Sequence, residues 1–298
     1  MEPIFEGSAV ALVLPMHDDG SIDYDGFKRQ VQRMIDGGVQ ALLVNGTTGE
    51  TPTNTIEEEI ELTKIVMDMA KGTGVKVIAG AGSNDTATAL KKAQFASEIG
   101  ADAILVVTPY YNKTSQRGLI QHYTTIADAV DIPMILYNVP GRTGVNIAVD
   151  TVVELAKHKN IKAMKDATDN IAYAMDVLSK TKDLDFDMYS CCDDNILPFM
   201  AAGGKGVISV LSNIYPRETE KFTQAILQGD LQLARQMAYD FNDVSKYLFI
   251  DVNPIMPKAA LAHMGVCGET VRLPLVLTTD ENKKLLFDAM KTFEEKGY

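Results

Sequence analysis

The chain is short of cysteine, histidine, basic charge and long apolar runs, and each shortage removes a class of protein. Only three cysteines occur in 298 residues, Cys191, Cys192 and Cys267. Adjacent Cys191 and Cys192 are poorly placed to pair with each other, and an odd total makes no disulfide framework. The count fits a reducing compartment and a cytoplasmic location. The four histidines, His17, His122, His158 and His263, are scattered, with no His-x-His or His-x-x-x-His spacing. They read as surface or packed residues, and no metal and no cofactor is expected. Cys191-Cys192-Asp193-Asp194 carries potential donors, but two neighbouring thiols give poor tetrahedral geometry without further partners. Lysine and arginine total 28 against 40 acidic residues, a net charge of −12. Such a chain repels phosphate backbones and anionic lipid, so neither nucleic acid nor a membrane surface is an expected partner. A small anionic substrate stays admissible, because local donor geometry outweighs net charge. No apolar stretch is long enough to span a bilayer, and Met1-Glu2-Pro3-Ile4-Phe5-Glu6 has no basic region of a signal peptide.

What the sequence does have is an alternation of short apolar runs with longer amphipathic ones. Eight runs read as strands: 8–14, 41–44, 75–79, 103–108, 132–137, 161–165, 186–190 and 206–210. Their ends recur roughly every 20 to 35 residues, as a repeated strand-helix unit would. Between them, 23–36, 54–71, 85–99, 115–129 and 149–158 read as helices. Thr55 followed by Glu58 forms a capping-box pattern. The fold class is α/β, and eight units favour a closed (β/α)8 TIM barrel, with a doubly wound open sheet as the alternative. Beyond Ser212, residues 217–250, 255–266 and 280–295 read as helical. The expected division is a barrel over 1–225 and a C-terminal helical appendage over 226–298. No Gly/Ser-rich linker separates the two, so the appendage is expected to pack on the barrel. Gly203-Gly204-Lys205-Gly206 looks like a phosphate loop, but it precedes a strand instead of opening a helix and reads as a turn.

In a barrel of this type reactive residues sit at the carboxyl ends of the strands. Lys165 closes the run Ile161-Lys162-Ala163-Met164-Lys165, and Tyr137 closes Ile132-Pro133-Met134-Ile135-Leu136-Tyr137, one strand-helix-strand unit upstream. An amine and a phenol at the ends of adjacent buried strands, roughly 4.8 Å apart, point to carbonyl chemistry through a Schiff base. Lys162 shares the run but reads as solvated. Three loops add candidates, each with two readings. Gly46-Thr47-Thr48-Gly49-Glu50 is either a tight turn or a carboxylate cradle of N–H groups and hydroxyls. In Thr108-Pro109-Tyr110-Tyr111-Asn112 the tyrosines pack or cap the barrel mouth. In Tyr137-Asn138-Val139-Pro140-Gly141-Arg142-Thr143-Gly144, Arg142 is a solvated side chain on a Pro-Gly turn or a planar fork for a carboxylate.

Taken together, these residues resemble the pyruvate-dependent class I aldolase superfamily that includes the dihydrodipicolinate synthases and N-acetylneuraminate lyases. The likeness runs from Gly7-Ser8-Ala9-Val10 through Asn253-Pro254-Ile255 to Arg272-Leu273-Pro274. Gly-Thr-Thr-Gly-Glu and the strand-end lysine mark the superfamily, and Tyr-Asn-Val-Pro-Gly-Arg-Thr-Gly with Thr-Pro-Tyr-Tyr-Asn points to the synthase branch. The resemblance implies a lyase that condenses pyruvate with L-aspartate 4-semialdehyde to 4-hydroxy-tetrahydrodipicolinate, in lysine and diaminopimelate biosynthesis. It implies that Lys165 forms an imine with pyruvate and that Thr47 and Thr48 hold the pyruvate carboxylate. Arg142 would meet the aldehyde's carboxylate, and Ile208 would line the substrate site. Tyr137, Thr48 and Tyr111 would relay protons, with Tyr111 coming from a neighbouring subunit, so a homotetramer or homodimer is expected.

The chain departs from that pattern at several places. Cys191-Cys192 stand where the family usually has a small residue and then glycine, so Cys192 either keeps the glycine's role or narrows the pocket. Leu14 stands where threonine is common. Ile56 and Thr88 stand where lysine-inhibited relatives have histidine and glutamate, although Asn84 and Tyr110 remain, so inhibition by lysine is expected to be weak or absent. The rival readings are a sibling aldolase acting on a sugar acid, which has no need of Arg142, and a non-catalytic small-molecule-binding barrel.

Overall fold

A computed structural model describes residues 2–297. Along the chain run β1 (Gly7–Ala11), α1 (Tyr24–Asp36), β2 (Ala41–Val44), α2 (Ile56–Ala70), β3 (Lys76–Gly80), α3 (Thr86–Glu98), β4 (Ala103–Val107) and α4 (Gln116–Ala127). There follow β5 (Met134–Asn138), α5 (Pro140–Thr143), α6 (Val149–Leu155), β6 (Ile161–Asp166), α7 (Ile171–Thr181), β7 (Asp187–Ser190), α8 (Ile196–Ala201) and β8 (Gly206–Ser209). The last elements are α9 (Pro216–Leu227), α10 (Leu231–Leu248), α11 (Ile255–His263) and α12 (Asp280–Glu294).

The eight strands close into a barrel in sequence order, which establishes the (β/α)8 expectation and sets the open sheet aside. All eight expected runs became strands, because parallel strands covered on both faces read as continuous apolar segments. The fifth begins later than expected: Pro133 has no N–H to give, and its carbonyl accepts from Ile104 N at 2.9 Å. The Thr55/Glu58 capping box starts α2 as read. Three helices escaped the sequence reading, the single-turn α5 and the longer α7 and α8. The N-cap Asn170 opens α7, accepting from Tyr173 N at 3.1 Å, and Ala174, Val177 and Thr181 form its buried stripe. Short α8 follows β7 after a 3₁₀ turn over Asp193–Asn195. The stretch 217–250 is two helices, not one: Gly229 adopts a left-handed φ of 78° and Asp230 caps α10 through Leu233 N.

The described chain separates into two compact units. The first comprises the N-terminal residues up to Glu6 with Lys76–Ile208, and therefore holds β3 to β7 and nearly all of β8. Its strands pair in parallel, with Val107 opposite Tyr137, Tyr137 opposite Lys165 and Lys165 opposite Tyr189. The second comprises Gly7–Val75 with the chain from Ser209 onward. There β1 pairs β2, and buried Asn213 pins the end of β1, donating to Ala11 O (2.8 Å) and accepting from Val13 N (3.0 Å). Glu220 of α9 accepts from both the backbone and the hydroxyl of Ser8 on β1. The C-terminal helices share an aromatic core in which Phe293 of α12 stacks on Phe241 of α10 at 4.4 Å and meets Tyr215 at 4.7 Å.

Candidate active site

Lys165 and Tyr137 lie side by side. They are direct register partners on β6 and β5, and Lys165 Nζ sits 4.6 Å from the centre of the Tyr137 ring. Both side chains are withdrawn from water, at 5% and 7% exposure. A buried amine against a phenol is an arrangement for attack on a carbonyl with a proton carrier at hand. Burial holds the Tyr137 hydroxyl well above the ordinary phenol range, and the neighbouring Cys191 adds to this while the Arg142 guanidinium opposes it. Lys162, three residues earlier and therefore on the other face of the strand, is half-buried and paired with Asp185, so it is less solvated than its sequence suggested.

Next to Lys165, Asp166 turns to the opposite face. Its carboxyl is pushed up to about 6 by burial, against hydrogen bonds from Thr168 (2.7 Å) and Asn138 (3.2 Å) that favour the ionised form. Asn138 thus ties the end of β5 to the end of β6, and its carbonyl accepts from Ala167 N at 2.8 Å while its Oδ1 accepts from Ile147 N at 3.1 Å.

Arg142 lies on α5, a single helical turn closed by Gly144 in a left-handed conformation, where the sequence suggested only a Pro-Gly turn. Its side chain is exposed. Tyr111, on the loop after β4, is 93% exposed and holds a left-handed φ of 70°. That conformation is uncommon for an aromatic residue, and the loop is fastened by Asn112 Nδ2 on Asn84 O at 2.9 Å. Ile208 is fully buried on β8.

In the second unit Thr47–Gly49 form one 3₁₀ turn after β2, and Glu50 leaves it with a left-handed φ of 52°. Thr48 is buried and accepts a hydrogen bond from Asn253 Nδ2 at 3.0 Å, which leaves the Thr48 hydroxyl proton itself available for donation. Glu50 is buried against Lys258, whose side chain is fully out of water. Burial draws the Lys258 amine below its ordinary range while Glu50 pushes back. The sequence assigned no site role to Asn253, which entered only within the Asn253-Pro254-Ile255 run, or to Lys258. Each lies more than 200 residues from its partner, and nothing local distinguishes them.

The double cysteine resolves into two environments. Cys191 Sγ lies 3.6 Å from the Tyr137 hydroxyl. Cys192 stands with Asp169 and Asp194, the one group of potential metal ligands among the described residues. Burial first, then the nearby Cys191 and acidic groups, push the Cys192 thiol far up, whereas a metal ligand must give up its proton. His122 packs inside with its Nδ1 2.9 Å from Thr86 Oγ1, and His263 stacks on Phe287. No helix of the described residues is long and apolar enough to cross a membrane.

A parallel barrel with a buried lysine beside a tyrosine at the strand ends defines a protein of the class I aldolase type. The dihydrodipicolinate synthetase family model matches residues 4–293, and the chain belongs to that family. The 4-hydroxy-tetrahydrodipicolinate synthase of Trichlorobacter lovleyi is 47% identical over 98% of this chain and 99% of its own length. The dihydrodipicolinate synthase structure from Aquifex aeolicus matches with a TM-score of 0.93 at 43% identity, covering 97% of this chain and 98% of that one. The chloride-inhibited synthase of Acinetobacter baumannii, in complex with pyruvate, matches with a TM-score of 0.94 at 37% identity, over 97% and 99% of the two chains.

Proposed function

We propose that this chain is a lyase that condenses pyruvate with L-aspartate 4-semialdehyde to 4-hydroxy-tetrahydrodipicolinate, the entry to diaminopimelate and lysine synthesis. The observation that carries the reading is the buried Lys165 amine against the Tyr137 ring at paired strand ends, in a member of the dihydrodipicolinate synthetase family. The sugar-acid alternative is not favoured, since close, nearly full-length relatives are named as the synthase.

Lys165 Nζ adds to the C2 ketone of pyruvate, and loss of water gives the imine. Removal of a C3 proton makes the enamine, whose carbon attacks the aldehyde of the second substrate. That substrate's own amine then displaces Lys165, closing the ring and freeing the enzyme. Thr47 and Thr48 take the pyruvate carboxylate, Ile208 lines the pocket and Arg142 takes the carboxylate of the aldehyde. Tyr137 carries protons with Thr48 and with Tyr111 of a neighbouring subunit. The exposed, conformationally constrained Tyr111 supports this, because one subunit offers its ring to solvent. A homodimer or homotetramer in the cytoplasm is therefore part of the proposal.

The test is pyruvate consumption on addition of aspartate semialdehyde, followed by borohydride trapping with pyruvate alone. Consumption should require both substrates, and Lys165→Ala should lower turnover by at least about a thousandfold and abolish the reduced adduct. A folded wild-type protein that neither consumes pyruvate nor forms an adduct would overturn the reading.

A further inference from the structure

Cys191 is held at the Tyr137 hydroxyl by its backbone as well as by its side chain. Tyr137, Lys165 and Tyr189 stand in register across β5, β6 and β7, and Cys191 follows two residues after Tyr189. Its N–H continues the ladder to Asp166 O at 2.9 Å. The next residue is fixed too: Ser190 Oγ accepts from Cys192 N (3.2 Å) and donates to Cys192 O (3.0 Å). The thiol is thus clamped between two backbone anchors, with Sγ 3.6 Å from the phenol oxygen, inside hydrogen-bonding range for sulfur. Lys165 Nζ lies over the Tyr137 ring, 4.6 Å from its centre.

We propose that Cys191 is a positioning residue of the reaction, whose thiol hydrogen-bonds the Tyr137 hydroxyl and fixes it for proton transfer at the Lys165 amine. This rests on Tyr137 being the proton carrier, as read above. A thiol is both a weak donor and a weak acceptor. It can accept from the phenol while the phenol holds its proton and donate to it once the proton has gone, with no movement of the backbone. Truncating the thiol leaves the phenol free to rotate off the line of transfer, and small misplacements of such groups slow the chemistry without loosening substrate binding.

The experiment compares Cys191→Ala, Cys191→Val and Cys191→Ser with wild type and Tyr137→Phe, in kcat, KM for pyruvate and the solvent deuterium isotope effect on kcat. Alanine and valine should lower kcat about tenfold, leave KM nearly unchanged and enlarge the isotope effect, while serine restores wild-type behaviour. Valine keeps the volume without the hydrogen bond, so it serves even where alanine loosens the fold. Wild-type kcat and isotope effect in the valine variant, with Tyr137→Phe inactive, would overturn the role of Cys191 alone. A fully active Tyr137→Phe would instead remove the reading beneath it.

Discussion

The buried Glu50–Lys258 pair should be the most sensitive structural joint of the Thr47–Thr48 turn. Lys258 is fully buried and Glu50 is 3% exposed, so neither charge keeps a hydration shell. The pair survives because each partner keeps further hydrogen bonds. Lys258 Nζ donates to Glu50 Oε1 and to Thr270 O, and Glu50 Oε2 accepts from Arg272 N at 2.8 Å. The Arg272 guanidinium in turn forks onto Glu58 at 2.6 and 2.8 Å and caps the carbonyls of Gly20 and Thr53. Replacing Lys258 by methionine leaves a carboxylate in an apolar setting with one backbone donor, at a cost of about 3–5 kcal/mol. At about 1.4 kcal/mol per factor of ten, that is at least a hundredfold in the folding equilibrium. Glu50→Gln strands the ammonium in the same way. The double variant Glu50→Gln/Lys258→Met removes both charges yet keeps an amide oxygen for Arg272 N, so it should cost only about 1–2 kcal/mol. Denaturant unfolding of the four proteins gives the coupling energy, expected at about 3 kcal/mol or more. Because Glu50 ends the turn that carries Thr47 and Thr48, the single variants should also raise KM for pyruvate. A Lys258→Met variant less than about 1 kcal/mol below wild type, or a double variant as unstable as the sum of the singles, would refute the argument.

Asp166 gives a stability test with a definite sign. Its folded carboxyl titrates at about 6 against an ordinary 3.8, so between these values the folded state binds more protons and stability falls as pH rises. Asp166→Asn lacks this titration, so its stability relative to wild type should improve by about 2 kcal/mol from pH 4 to 7; unfolding curves whose difference does not change with pH would contradict it. Lysine should inhibit weakly or not at all, since Ile56 is an exposed apolar side chain and the Thr88 hydroxyl is committed to Asp85 at 2.6 Å. Half-inhibition at micromolar lysine in a turnover assay would sink that expectation.

The sequence alone determined the alternation of strands and helices, because burial on both faces and the 3.6-residue stripe leave their mark residue by residue. It also determined the Lys165–Tyr137 partnership, since a separation of one strand-helix-strand unit puts two strand ends in register. The Thr55/Glu58 capping box was legible for a similar reason: a cap is a contact across three residues. The break between α9 and α10 was written in Gly229 and Asp230 but lost within a continuous amphipathic pattern. Only the tertiary structure decided which distant side chains complete these local motifs. It brought Cys191 to Tyr137 across 54 residues, Asn253 to Thr48 across 205 and Lys258 to Glu50 across 208. No periodicity records such pairs, because a buried amine or amide is matched to its partner by the closure of the chain and not by its neighbours in sequence.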